Sequence, residues 1–114
     1  MQHLFLNSSA DLVSTANHLF PVLGVKYSAR HSKNVLNGVY YEGYCFGCRI
    51  RLEENSYEFE DQFKYMLTVK CNLLSETTMR DDDVPVLTQL LQRVLSDNLK
   101  IKIELEDDLQ SNGP

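Results

Sequence analysis

The chain has 114 residues, 43% hydrophobic and 24% charged. That composition suits one globular domain with a single core, and it excludes both a disordered chain and two separate cores. No apolar run approaches the ~20 residues of a membrane span, and the start, Met1 to Leu6, has no basic n-region or small-residue cleavage site, so the expectation is a cytoplasmic protein.

Charge is unevenly distributed. Residues 1–51 hold five Lys/Arg against Asp11 and Glu42, a balance of +3; residues 52–114 hold six against fourteen Asp/Glu, a balance of −8, which together give −5. An acidic second half repels phosphates and argues against nucleic acid as the ligand. It suits a basic protein partner, whose approach it would accelerate; a solvated, solubilising surface is the plainer alternative.

In chain order, His3 to Leu6 reads as a short strand. The run 7–9, Asn-Ser-Ser, offers N-cap oxygens to a helix whose apolar stripe is Leu12, Val13, Ala16, Leu19, Phe20 and Leu23. His18 lies off that stripe. Pro21 disfavours helical backbone at Phe20, so the helix is expected to end there. Residues 24–28 form a candidate strand, and 30–37 a polar, turn-rich loop. Gly38 fits a backbone conformation closed to other residues or a close approach. Residues 39–44 are aromatic and read as a strand, with Gly43 and Gly47 marking a bend or bulge.

Cys48, Ile50 and Leu52 then alternate with Arg49, Arg51 and Glu53, the pattern of a half-buried strand. Residues 53–61 carry five acids and no base, so they read as an exposed hairpin loop. Phe63, Tyr65, Leu67, Val69 and Cys71 alternate cleanly and predict a central strand. After a linker at 73–80, Asp81, Asp82 and Asp83 precede Val84-Pro85, a strong helix start. Val86, Leu87, Leu90, Leu91, Val94 and Leu95 form the expected core stripe of that helix, which Asp97-Asn98 should end. Leu99, Ile101, Ile103 and Leu105 predict a last strand, and 106–114 a frayed acidic tail. The fold expected is α+β: a mostly antiparallel sheet of about five to six strands, with two amphipathic helices on one face.

Reactive constellations are scarce. Three cysteines cannot complete a disulfide framework, and Cys45-x-x-Cys48 is half a zinc ribbon without its second half, so buried free thiols are expected. Ser32 beside His31 does not pair as nucleophile and base on extended chain, because neighbours point to opposite sides. No Gly-rich phosphate loop or nucleophile elbow is present. Arg30, His31 and Lys33 form a basic cluster more consistent with local loop bonding than with anion capture. The Asp triplet reads as a helix cap, since its spacing fits no calcium loop. These readings point away from an enzyme and away from any cofactor or metal.

Arg30-x-Ser32-x-Asn34-x-x-x-Gly38-x-Tyr40-Tyr41, with Gly47 soon after, resembles a pattern in small bacterial immunity proteins of polymorphic toxin systems, including contact-dependent growth inhibition. The likeness covers about a fifth of the chain. It departs at His31 and Lys33, where an acid and a small residue are expected, and at Val35, where an aromatic is usual. It implies a cytoplasmic protein that binds one cognate toxin domain, commonly a nuclease, 1:1, as a monomer or weak dimer. Arg30, Ser32, Asn34, Gly38 and Tyr40 would be framework. Toxin contacts would come from Glu53, Glu54, Tyr57, Glu58, Phe59, Glu60, Asp61, Asp81, Asp82 and Asp83. The rival readings are a module that self-associates through the aromatic strand or a sheet edge, and a small enzyme using Arg30, His31 and Ser32.

Overall fold

The computed structural model describes residues 1–45, 47–56, 62–71 and 81–106. Its elements run β1 (Gln2–Leu6), α1 (Leu12–Leu23), β2 (Tyr27–His31), β3 (Val39–Cys45), β4 (Cys48–Glu54), β5 (Tyr65–Cys71), α2 (Val84–Leu99) and β6 (Ile103–Leu105). The strands form one six-stranded antiparallel sheet in the order β2-β3-β4-β5-β1-β6. The expected α+β architecture is thus the one observed.

Alternation along each strand decides what each sheet face does. Leu4 and Leu6 of β1, Cys48, Ile50 and Leu52 of β4, and Tyr65, Leu67, Val69 and Cys71 of β5 point one way. They meet Leu19 and Phe20 of α1 and Leu91 and Leu95 of α2 in the main core. Phe5, Phe63 and Met66 form a small separate cluster of buried residues. Phe5 stands opposite Met66 on the far side of the sheet, because strand neighbours alternate faces.

Several expectations are corrected. Asp11, not the 7–9 run, caps α1: its Oδ1 accepts from the Ser14 amide at 2.9 Å. Asn7 instead ties the β1 end to the β4–β5 hairpin, donating to the Gln62 carbonyl and accepting from the Lys64 amide at 2.7 Å. Pro21 does not stop α1. It sits in the last turn, and Gly24 closes the helix in the left-handed region at φ 69°. The Gly24 and Val25 amides donate back to the Pro21 and Phe20 carbonyls at 3.0 and 3.1 Å. Burial of Phe20, stacked on Tyr27 at 4.8 Å between ring centroids, outweighs the local bias against helical backbone before proline.

The polar loop starts at Ser32 rather than residue 30, since Arg30 and His31 pair with Tyr40 and Val39. Gly43 marks no bulge. It lies in register between Tyr27 and Ile50, and a Cβ there would stand 2.7 Å from Val25 Cγ1 and 2.8 Å from the Lys26 carbonyl. The supposed last strand is split: α2 continues through Leu99, Lys100 takes the left-handed region at φ 58°, and only Ile103–Leu105 is strand. Val13, Val86 and Leu90, assigned to core stripes, are exposed; Thr15, Val84 and Thr88 are buried in their stead.

Candidate functional site

The acidic candidates separate. Glu53 and Glu54 belong to β4, not to an exposed loop. Glu53 is buried opposite Met66, on the face that also holds Phe5. Burial pushes its carboxyl above the ordinary range, and the Arg51 guanidinium only partly opposes this. Glu54 accepts a hydrogen bond from the Asn37 side chain, which ties the strand to the turn before β3. Tyr57, Glu58, Phe59, Glu60 and Asp61 lie outside the described residues, as do the 73–80 linker and the tail beyond residue 106.

Asp81–Asp83 form a single 3-10 turn that leads into α2, with Pro85 in the first helical turn as expected. Asp83 occupies the cap position in a helical rather than an extended conformation. Asp82 and Asp83 are exposed. Directly beyond them, Val86 is 69% and Leu90 is 52% exposed, one turn apart on the outward side of α2. At 100° per residue, Val86 lies about 200° and Leu90 about 240° around the helix from buried Val84. The inward side is Val84, Leu87, Thr88, Leu91 and Leu95. The outward strip therefore carries two carboxylates, then two aliphatic side chains, then exposed Arg93 and Asp97 at about 180° and 220°. The six apolar positions expected as one core stripe span a wider arc than the helix buries, which leaves Val86 and Leu90 at the surface. The angular arithmetic was available in the sequence.

The framework residues divide into two groups. Ser32, Asn34 and Gly38 build the β2–β3 connection: Ser32 Oγ accepts from the Asn34 amide at 3.2 Å, and the Ser32 amide donates to the Gly38 carbonyl at 3.0 Å. Gly38 itself adopts φ 76°. Arg30 and Tyr40 are instead cross-strand neighbours on the sheet face away from the helices. The Arg51 guanidinium lies 4.2 Å above the Tyr40 ring, a cation–π contact. Beside them Tyr44, 52% exposed, donates to Glu42 Oε1 at 2.6 Å. That hydrogen bond is the main reason the Tyr44 hydroxyl is harder to ionise than usual; burial adds to it and Arg49 and Arg30 oppose it. Arg49 in turn stands opposite Lys70. This face therefore concentrates cations and tyrosines around two carboxylates, Glu42 and Glu53, that are themselves buried.

A cavity of about 450 Å³ lies between the start of α1 and the end of α2, lined by Ser8, Ser9, Thr15, His18 and Asn98 among others. The His18 Nδ1 donates to the Ser14 carbonyl at 2.7 Å. Among the described residues, no carboxylate lines the cavity to orient a nucleophile or share a proton. Among the described residues, no group of three His, Cys, Asp or Glu is placed to hold a metal ion, and no helix is long and apolar enough to cross a membrane. His31 and Ser32 are adjacent at the end of β2, and the Ser32 hydroxyl is engaged by the Asn34 amide. Comparison of the chain with family models, curated proteins and solved structures yields no match.

Proposed function

We propose that this chain is a non-catalytic immunity protein that binds one cognate toxin domain 1:1 and neutralises it, and that the toxin is a basic protein, a nuclease. One observation carries the surface assignment: exposed Val86 and Leu90 follow exposed Asp82 and Asp83 along the outward side of α2. Apolar side chains rimmed by carboxylates are what a basic partner with a nonpolar centre requires. The carboxylates would govern association rate, and the aliphatic pair would govern residence time. A nuclease must attract phosphate, so its cleft is basic, and an acidic inhibitor competes for the same field. The resemblance around Arg30 to Tyr41 supplies the toxin-neutralising part of the reading.

Co-expression with the product of the adjacent upstream gene tests it. Restored growth and a stable 1:1 complex, with association slowing as salt rises, are expected. A harmless neighbour that forms no complex refutes it.

A second reading has its own support. Among the described residues strand β2 pairs only with β3, and its residues 28–31 are all exposed, which leaves one backbone edge for a second copy. Sedimentation at high protein concentration distinguishes this reading, since a monomer excludes it.

A further inference from the structure

Three cysteines lie in one row, Cys45 and Cys48 from one hairpin and Cys71 from a strand distant in sequence. Cys45 stands opposite Cys48 across β3 and β4, and Cys48 stands opposite Cys71 across β4 and β5. Directly opposite residues share a sheet face, so all three thiols point toward the helices. Only two residues separate Cys45 from Cys48, so this hairpin closes on a pair that exchanges backbone hydrogen bonds. Such pairing alternates along a strand. Cys48 therefore turns its amide and carbonyl toward β3, and Cys48 and Cys71 form a non-hydrogen-bonded pair with Cα atoms ~4.5 Å apart. That separation falls inside the roughly 4.4–6.8 Å range that a disulfide spans. Cys45 and Cys71 are two strand spacings apart, ~9.6 Å, which a disulfide cannot bridge without backbone movement. The same spread keeps the three sulfurs from converging on one ion. Cys48 is thus the shared partner of two bonds that exclude each other.

Exposure gives the row a direction. Cys45 is partly exposed, whereas Cys48 is 0% and Cys71 is 7% exposed. We propose that Cys45 is a modification site for low-molecular-weight disulfides such as glutathione disulfide, and that Cys48 relays the modification to Cys71, leaving a buried Cys48–Cys71 disulfide. In the first step the Cys45 thiolate attacks one sulfur of glutathione disulfide, forming a mixed disulfide and releasing one glutathione thiolate. Cys48 then gives up its proton and attacks the Cys45 sulfur, and the second glutathione leaves as a thiolate that takes up a proton. Finally Cys71 loses its proton and attacks Cys48 Sγ, and Cys45 departs as a thiolate that is reprotonated. The net change oxidises two protein thiols to one disulfide and reduces one glutathione disulfide to two glutathiones. Burial pushes the Cys45 and Cys48 thiols upward, so the relay accelerates as pH rises, because the thiolate is the attacking form. The relay is independent of the toxin-binding proposal.

The test incubates the native protein with glutathione disulfide, quenches with acid, alkylates, and follows intact mass and disulfide-linked peptides. A transient single glutathione adduct on Cys45 should precede a Cys48–Cys71 crosslink. Cys45→Ser and Cys45→Ala should slow that crosslink more than about tenfold while circular dichroism confirms the native fold. Cys71→Ser should stop at a Cys45 species, either the adduct or the Cys45–Cys48 bond. A crosslink that forms at the original rate in both Cys45 variants overturns the relay. So does wild-type protein that accumulates only the Cys45 adduct, or stays unmodified, over the time in which guanidinium-unfolded chain forms intramolecular disulfides.

Discussion

Val86 and Leu90 can be separated experimentally from the core residues beside them. Fully burying a valine or leucine side chain contributes about 1.5–3 kcal/mol. Val86 is 69% and Leu90 is 52% exposed, so that fraction of each is still available to a partner. Scaling gives about 1 kcal/mol per residue, or about 2 kcal/mol together, which corresponds to about 30-fold in Kd. The double substitution Val86→Ala/Leu90→Ala should weaken the toxin complex by that factor, mainly through faster dissociation, as measured by calorimetry and stopped flow. It should leave the unliganded protein within about 0.5 kcal/mol of its original stability, because neither side chain packs in the core. Leu91, the next residue, is 4% exposed, and Leu91→Ala should cost about 2–5 kcal/mol in urea unfolding. A double variant that binds as tightly as the parent refutes the surface assignment. One that unfolds like Leu91→Ala refutes the orientation of α2.

Three further outcomes are expected. Gly43→Ala forces a Cβ to within 2.8 Å of the Lys26 carbonyl, a backbone atom that cannot swing aside; it should destabilise by about 1–3 kcal/mol and lower Tm by about 4–12 °C. Glu53 binds its proton more tightly folded than unfolded, so the stability it contributes is full below the ordinary carboxyl range and is lost as pH rises through the raised folded value. Glu53→Gln should therefore raise the urea midpoint at pH 7 and lose that advantage below about pH 4; no gain at pH 7 refutes the burial argument. Asp82→Lys/Asp83→Lys should slow toxin association about tenfold at low salt, with the rates converging at high salt, whereas Arg49→Glu/Lys70→Glu on the opposite face should not slow it.

The alternating strands were the most legible part of the chain. β5 reads directly from its period of two, because both its faces meet distinct environments and no local signal competes. The start of α2 was legible from Pro85, but the expected cap is not made: Asp83 sits at the cap position with helical backbone, and its side chain makes no cap hydrogen bond. What failed was every reading that set a local preference against packing. Pro21 lies inside α1 because Phe20 is held by the core. Leu99 stays helical because one further turn places it against the core, and the alternation of residues 99–105 fits that ending as well as it fits a strand. Glu53 lies on the sheet face that its alternation with Leu52 assigns it, but it is buried there rather than solvated. Its burial depends on Phe5 and Met66, which reach it only through pairing between β4, β5 and β1. The cysteine row was illegible for the same reason, since no spacing rule brings Cys71 beside Cys48. For the candidate surface, Asp82 and Asp83 were named from sequence, while their aliphatic neighbours were lost to the core stripe.

The sequence divides its charge by chain half, whereas the fold gathers cations on one sheet face and leaves the helix layer mixed, with Arg93 exposed on α2 along with Asp82, Asp83 and Asp97. Arg30 and Lys70 are exposed and Arg49 and Arg51 half-exposed on the sheet face, although Lys70 belongs to the acidic half of the chain. Asp82 and Asp83 are exposed where the helix layer begins. At physiological ionic strength the Debye length is ~8 Å, much shorter than the molecule, so a partner responds to the nearest patch rather than to the net charge of −5. On the proposed reading, a basic toxin would be drawn to the acidic start of α2 and discouraged from the open sheet. The charge that speeds encounter would thereby also select orientation, delivering the partner to the strip where Val86 and Leu90 can be buried.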